Sequence, residues 1–113
     1  STHSRVAARK QWLLGHIQIA GKITVDSGAA RAVAEKHASL LPVGCIGVEG
    51  HFHRGELVAV VDQNGQEIAR GLINYSSDET AKILQTDSHH IHDKLGYAQE
   101  EELIHRDNMA LRR

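Results

Sequence analysis

Nine histidines, one cysteine and a run of closely spaced glycines are the residues of this 113-residue chain whose types could do chemistry. His51 and His53 alternate around Phe52, so in a strand both imidazoles point to one face, the start of a chelate. Cys45 lies six residues earlier and could join them. On a helix, His89, His92 and Asp93 share a face at i, i+3 and i+4 spacing. A catalytic zinc takes three protein ligands and a structural zinc usually four, and neither cluster supplies that set locally. These histidines therefore read first as solvated polar positions and no metal ligand is assigned, with a small His-rich metal-binding domain as an alternative that rests on the histidines alone.

Gly44, Gly47 and Gly50 in GCIGVEG lack the Lys-Ser/Thr pair of a Walker loop and the strand-to-helix setting of a dinucleotide loop. They read as turn and bulge glycines. His105-Arg106-Asp107 matches the start of a protein-kinase catalytic loop, but Asn108 follows at once and no DFG or glycine-rich lid accompanies it. A charged turn at a strand end is the expectation there. Neither a nucleophile elbow nor an activated cysteine setting is present, so no catalytic residue is assigned. Trp12, Phe52, Tyr75 and Tyr97 are too scattered to form a stacking platform for single-stranded RNA. RNA contact would rest on the phosphate backbone and on cations such as Arg31, Lys36, Arg54 or Arg70.

Composition narrows the class further. Lys and Arg number 13 against 14 Asp and Glu, a formal charge of −1, which argues against a dedicated nucleic-acid clamp. That balance belongs to neutral pH, because exposed histidines make the chain basic below about pH 6. A lone cysteine excludes an intrachain disulfide. No apolar run reaches the roughly 18–20 residues of a membrane span, so no membrane partner is expected. The polar N-terminal residues Ser-Thr-His-Ser-Arg contain no apolar signal core. Met109 is the only methionine, so either an initiator was removed or the chain is cut from a longer protein.

The elements that must position these residues follow from periodicity and punctuation. Residues 5–14 read as a short basic helix ended by Gly15. Ile17, Ile19, Ile23 and Val25 predict two short strands, or one bulged strand, around Ala20-Gly21. Asp26 or Ser27 caps a helix with Ala30, Val33 and Ala34 on its apolar stripe and an Arg31–Glu35 pair. Leu40 to Gly44, with Pro42, stops it. From Gly44 to Ile73 the chain reads as β. A type I′ turn centred on Asn64-Gly65 predicts Val61 opposite Ile68, Ala59 opposite Arg70 and Leu57 opposite Leu72. Val58 and Val60 make the first strand of that hairpin apolar on both faces, as a covered or barrel strand requires.

Ser76 to Glu79 caps a second helix to about Gln85 with Ala81 and Leu84 inward. A third short helix, HHIHDKL, ends at Gly96, and a last strand is placed at Leu103 to His105. The fold class is α+β, mostly β, with a curved, partly closed sheet and short helices at its ends.

The stretch SLLPVGCIGVEGHFHRGELVAVVDQNGQEIARGLINYSSDET, Ser39 to Thr80, resembles the C-terminal PUA domains of bacterial glutamate 5-kinases. The segments RKQWLLGHI and KITVDSGA before it, and LGY and IHRDN after it, look like the same family in the same order, from about Arg9 to Leu111. The resemblance implies a PUA-like pseudobarrel over residues 15–113, with residues 1–14 as an interdomain linker and opening helix. It implies a cytoplasmic, oligomeric parent enzyme that transfers the γ-phosphoryl group of ATP to the side-chain carboxylate of L-glutamate in proline biosynthesis. That enzyme would use Mg²⁺ and be inhibited by proline. Its catalytic domain precedes this one, so this chain itself is expected to need no cofactor, to be non-catalytic, and to have its own kinase domain as partner in a regulatory or architectural role.

The commoner role of PUA domains implies RNA as the alternative partner. Its candidates are Lys36, Ser39, Gly44 and Arg70, near the first helix and the loop after it. Two features depart from the family pattern. His37 stands where a glycine often ends the first helix, and the acidic stretch Gln99 to Glu102 lengthens the last loop, predicting a negative edge beside the final strand. His51 and His53 fall at variable positions of the pattern.

Overall fold

The computed structural model describes residues 18–97 and 100–111. The helix expected over 5–14 and the boundary at 14/15 lie outside them, as do Ile17 and Gln99.

Five strands form one mixed sheet: β1 (Gly21–Val25), β2 (Cys45–Gly50), β3 (Leu57–Val61), β4 (Glu67–Leu72) and β5 (Met109–Leu111). Their order is β2-β1-β3-β4-β5, with β1 and β3 parallel and every other pair antiparallel. Among the described residues three α-helices accompany it: α1 (Ser27–Lys36), α2 (Ser77–Lys82) and α3 (Ile91–Leu95). All five residues of β3 are buried, which is why Val58 and Val60 read as apolar on both faces. Bulges between Thr24 and Val25 and between Val60 and Val61 bend the strands, since an unpaired residue adds local twist. The core gathers Ile23, Val25, Val58 and Val60 from the sheet, Val33 from α1, and Phe52, Tyr75 and Ile83 from the loops and the end of α2.

Several sequence expectations meet a different structure. Among the described residues of the first β segment the strand starts at Gly21, with Ile19 outside it. The hairpin register holds at Ala59–Arg70 and Leu57–Leu72, but Val61 faces Glu67 rather than Ile68. Only Gly65 of the Asn64-Gly65 pair has positive φ, at 84°. The Gly65 amide bonds the Asp62 carbonyl at 3.0 Å, and the Asp62 carboxylate accepts from the amides of Asn64 and Gln66, both at 2.9 Å. A common turn followed by a left-handed glycine and a bulge thus replaces the mirror-image turn, at the cost of one register step.

Ala34 and Ala81 are exposed rather than inward. On α2 the buried residues are Ser77 and Thr80, because the helix ends at Lys82 and the chain then turns Ile83 into the core. The final strand is Met109–Leu111, not Leu103 to His105. Leu103 and Ile104 are both fully buried, so they do not alternate, and Ile104 makes only an isolated bridge to Leu40. The acidic loop is partly neutralised: Glu100 pairs with Arg54 at 3.3 Å, and Glu102 lies 3.9 Å from His105. Among the described residues no helix is long and apolar enough to cross a membrane.

Candidate functional site

Helix α1 and the loop after it enclose a concavity. Asp26 starts the helix: its carboxylate accepts from the Ala29 amide at 2.7 Å, satisfying a first-turn donor. On the helix surface Arg31 and Glu35 pair at 3.7 Å. His37 ends the helix in the left-handed region, φ 53° and ψ 40°, a conformation glycine most often supplies. The amides of His37 and Ala38 both turn back to the Ala32 carbonyl.

The loop is then pinned at three points. Leu40 exchanges backbone bonds with Leu103 and Ile104 at 2.7–3.2 Å, and the Ser39 hydroxyl accepts from the Arg106 amide at 2.9 Å. Pro42 opens a short 3₁₀ turn, Pro42–Gly44, where its missing N–H is no loss. The Asp26 amide donates to the Gly44 carbonyl at 2.9 Å, closing the loop onto the start of α1.

The result is a cavity of about 270 Å³ walled by Asp26, Ala29 and Ala32 on one side and Leu41, Val43 and Gly44 on the other. Ser39 and Gly44, two of the four residues singled out for RNA, line it. The other two are elsewhere. Lys36 is exposed on the last turn of α1, and Arg70 lies on β4, bonded to Glu67 at 2.6 Å.

Beneath the loop, the Cys45 thiol faces the Leu41 carbonyl at 3.4 Å. Burial, with the Asp26 charge as a smaller cause, pushes it up to about 12. It is a packing group, not a nucleophile.

A second polar cluster joins α2 to the last loop. Ser76 and Glu79 form a reciprocal capping box, Ser76 hydroxyl to Glu79 amide at 3.2 Å and Glu79 carboxylate to Ser76 amide at 2.8 Å. The Tyr97 hydroxyl donates to the same Glu79 carboxylate. Partial burial alone would raise the Glu79 carboxyl, but the bonds from Tyr97 and Ser76 and the charge of Arg54 outweigh it and hold it below the usual range. The bond to Glu79 in turn raises the Tyr97 phenol. The buried Tyr75 hydroxyl donates to the Glu100 carbonyl and accepts from the Glu100 amide, strapping the acidic loop down. Sequence reasoning placed a helix cap at Ser76 to Glu79 but found neither tyrosine, because both bonds span long sequence separations.

His51 and His53 are exposed on the loop after β2, with Phe52 buried between them. His89, His92 and Asp93 are exposed as well. Among the described residues no three His, Cys, Asp or Glu side chains are grouped to hold a metal. His105 does local work: its Nδ1 accepts from the Asp107 amide at 3.1 Å and caps the Arg106–Asn108 turn before β5.

The family model described as "PUA domain" matches residues 21–95. The chain belongs to the PUA domain family. The PUA fold recurs in solved structures. A PUA domain from Aeropyrum pernix K1, crystallised as a tartrate complex, superposes with TM-score 0.58 at 30% identity over 76% of this chain and 41% of that one. An archaeal box H/ACA sRNP complex contains a chain that matches with TM-score 0.52 at 25% identity, over 83% of this chain and 26% of that one.

Among curated proteins, this PUA domain is similar to glutamate 5-kinases. It is 55% identical over 108 residues to that of Laribacter hongkongensis, covering 96% of this chain and 29% of the relative. It is 57% identical over 107 residues to that of Chromobacterium violaceum, covering 95% and 29%. The PUA chain thus spans less than a third of the length of these relatives.

Proposed function

We propose that this PUA domain is the non-catalytic C-terminal part of a cytoplasmic, oligomeric glutamate 5-kinase, and that it modulates or supports the catalytic domain. The parent transfers the γ-phosphoryl group of ATP to the side-chain carboxylate of L-glutamate. The observation that carries the reading is the 55% identity to a glutamate 5-kinase across 96% of the chain. The commitments of the polar side chains support the non-catalytic part. Glu79 is held in a helix cap, Cys45 is buried with a raised thiol, and Arg70 is bonded to Glu67. Phosphoryl transfer needs groups that clamp Mg²⁺ and the transferring phosphate. Among the described residues no three His, Cys, Asp or Glu side chains group to hold that ion, and no step is placed in this domain.

The test uses the full-length protein and a version lacking Gly15 to Arg113. Glutamyl phosphate is trapped with hydroxylamine in the presence of ATP and Mg²⁺. Both versions are expected to turn over, with a changed proline inhibition or Mg²⁺ response in the shortened one. Absence of glutamate-dependent turnover in the full-length protein overturns the assignment. Loss of all turnover in a shortened protein that still folds places catalytic groups in this domain.

RNA binding is the second reading, favoured by the match to a chain of an sRNP complex. Contacts near Ser39 and Gly44 would then be to phosphates, and affinity for tRNA would fall steeply with salt. Titration of tRNA at low and moderate salt that gives no binding, or no salt slope, removes it.

A further inference from the structure

Leu41 and Val43 keep 40% and 48% of their surface exposed and, with Tyr97, are the large hydrophobic side chains left in solvent among the described residues. Both rim the same cavity against α1. From Leu40 to Gly44 burial alternates strictly: Leu40, Pro42 and Gly44 turn in, while Leu41 and Val43 turn out. The backbone cannot relax this pattern. Leu40 is tied to Leu103 and Ile104, the Pro42 carbonyl accepts from the Gln85 amide at 3.0 Å, and Gly44 holds the Asp26 amide. Two aliphatic side chains are thus fixed outward over a floor of small α1 residues, Ala29 and Ala32. Clustered exposed apolar groups of this kind mark interaction sites.

The chemistry of the walls selects the occupant. Asp26 is the one charged residue among those lining the cavity, and its carboxylate is occupied by the Ala29 amide. Among the described residues no Lys or Arg lines it. A negative, aliphatic socket repels a phosphodiester and accepts an apolar side chain. Its volume, about 270 Å³, is at the lower edge of the roughly 300–1,000 Å³ of small-molecule sites and suits a single inserted side chain. The relatives are more than three times as long as this chain, which fills 29% of their length. Most of such a protein is therefore tethered beside this surface at high effective concentration.

We propose that Leu41, Val43 and the cavity beneath them dock an apolar segment of the catalytic portion of the parent kinase. This rests on the reading of the chain as part of a glutamate 5-kinase. The socket couples the two parts through packing rather than through charge, so the contact persists at high salt.

The full-length protein carries the test. Cysteine is placed at the rim (Val43→Cys) and, in a second variant, at the exposed hairpin turn (Gln63→Cys). Maleimide modification is followed site by site by mass spectrometry. The buried Cys45 reports folding, because it stays unmodified while the domain is intact. Cysteine at 43 is expected to react at least tenfold more slowly than cysteine at 63. Adding Leu41→Asp to the Val43→Cys variant is expected to erase that difference while Cys45 remains protected. Protein grown on the diazirine analogue of leucine is expected to cross-link position 41 to a peptide outside this domain. Equal reactivity at 43 and 63 overturns the proposal. So does protection that ribonuclease removes, which makes RNA the occupant. Protection that dilution removes, or a cross-link only to the same domain of a second copy, also overturns it. Glutamate kinase activity of the same sample is read separately, so a failed docking result and a failed functional assignment are told apart.

Discussion

Gly44 and Ala29 touch so closely that a Cβ on Gly44 would lie 2.5 Å from the Ala29 Cβ. No real pair of carbons sits there, and an alanine methyl has no rotamer by which to yield. Gly44→Ala must therefore push α1 away from the Pro42–Gly44 turn, straining the 2.9 Å bond between the Asp26 amide and the Gly44 carbonyl. Overpacking of this sort costs about 1–3 kcal/mol. Gly47→Ala is the control, since its Cβ would meet Thr24 at an ordinary 3.6 Å. Urea unfolding is expected to show a lower midpoint for the first variant and little change for the second.

Glu79 anchors α2 and the last loop at once. Its carboxyl is held below the usual range, so the folded state binds its proton more weakly than the unfolded chain does. The stabilisation is present above the unfolded carboxylate pKa, near 4.3. It is lost as pH falls through the lowered folded value. Glu79→Gln keeps a carbonyl for the Ser76 amide and loses only the charge at the helix start, so it is expected to cost about 0.3–1 kcal/mol near neutral pH. It should also flatten the acid limb of the stability curve. A variant with an unchanged acid limb would show that another carboxylate dominates there.

Cys45 predicts behaviour at the other end of the pH scale. Burial first, and Asp26 second, raise its thiol to about 12. A group whose folded pKa is raised contributes fully below its unfolded pKa, about 8.5. That contribution disappears as pH climbs toward 12. Denaturant midpoints should therefore fall between about pH 8.5 and the upper limit of measurement, and Cys45→Ala should remove part of that slope. Iodoacetamide at neutral pH should modify Cys45 only at the rate of unfolding.

Sequence reading was strongest where the determinants are local. The Asp26 cap, the capping box at Ser76 and the stop at Gly96 each involve residues within a few positions of one another. The hairpin register survived for two of its three pairs. The third failed because Asp62 supplies its own carboxylate to the turn, which favours the bulged form. The last strand was misplaced because Leu103 and Ile104 are apolar for packing against the core, while the shorter Met109–Leu111 does the pairing. Of the site, Ser39 and Gly44 were legible as neighbours of α1. The pairing of Arg70 with Glu67 was not legible, because it depends on side-chain geometry along the strand. The outward set of Leu41 and Val43 had a signal in the alternation around Pro42, but it becomes readable only once the loop's tertiary bonds are known.

His37 carries the last prediction. Its φ of 53° puts a side chain where the family's glycine would be free of steric cost. For an L-residue the left-handed region costs roughly 1–2 kcal/mol, because Cβ crowds the following carbonyl oxygen. Glycine relieves that crowding but gives back part of the gain as extra entropy of the unfolded chain. His37→Gly is thus expected to stabilise the domain by about 0.5–1 kcal/mol. His37→Val should destabilise it, since a β-branched residue tolerates positive φ least. The two variants bracket the wild type in a thermal melt if the left-handed cap is what ends α1. Should glycine and valine shift the melting temperature the same way, the side-chain contacts of His37, rather than its backbone conformation, hold the loop that carries Ser39 and Leu41.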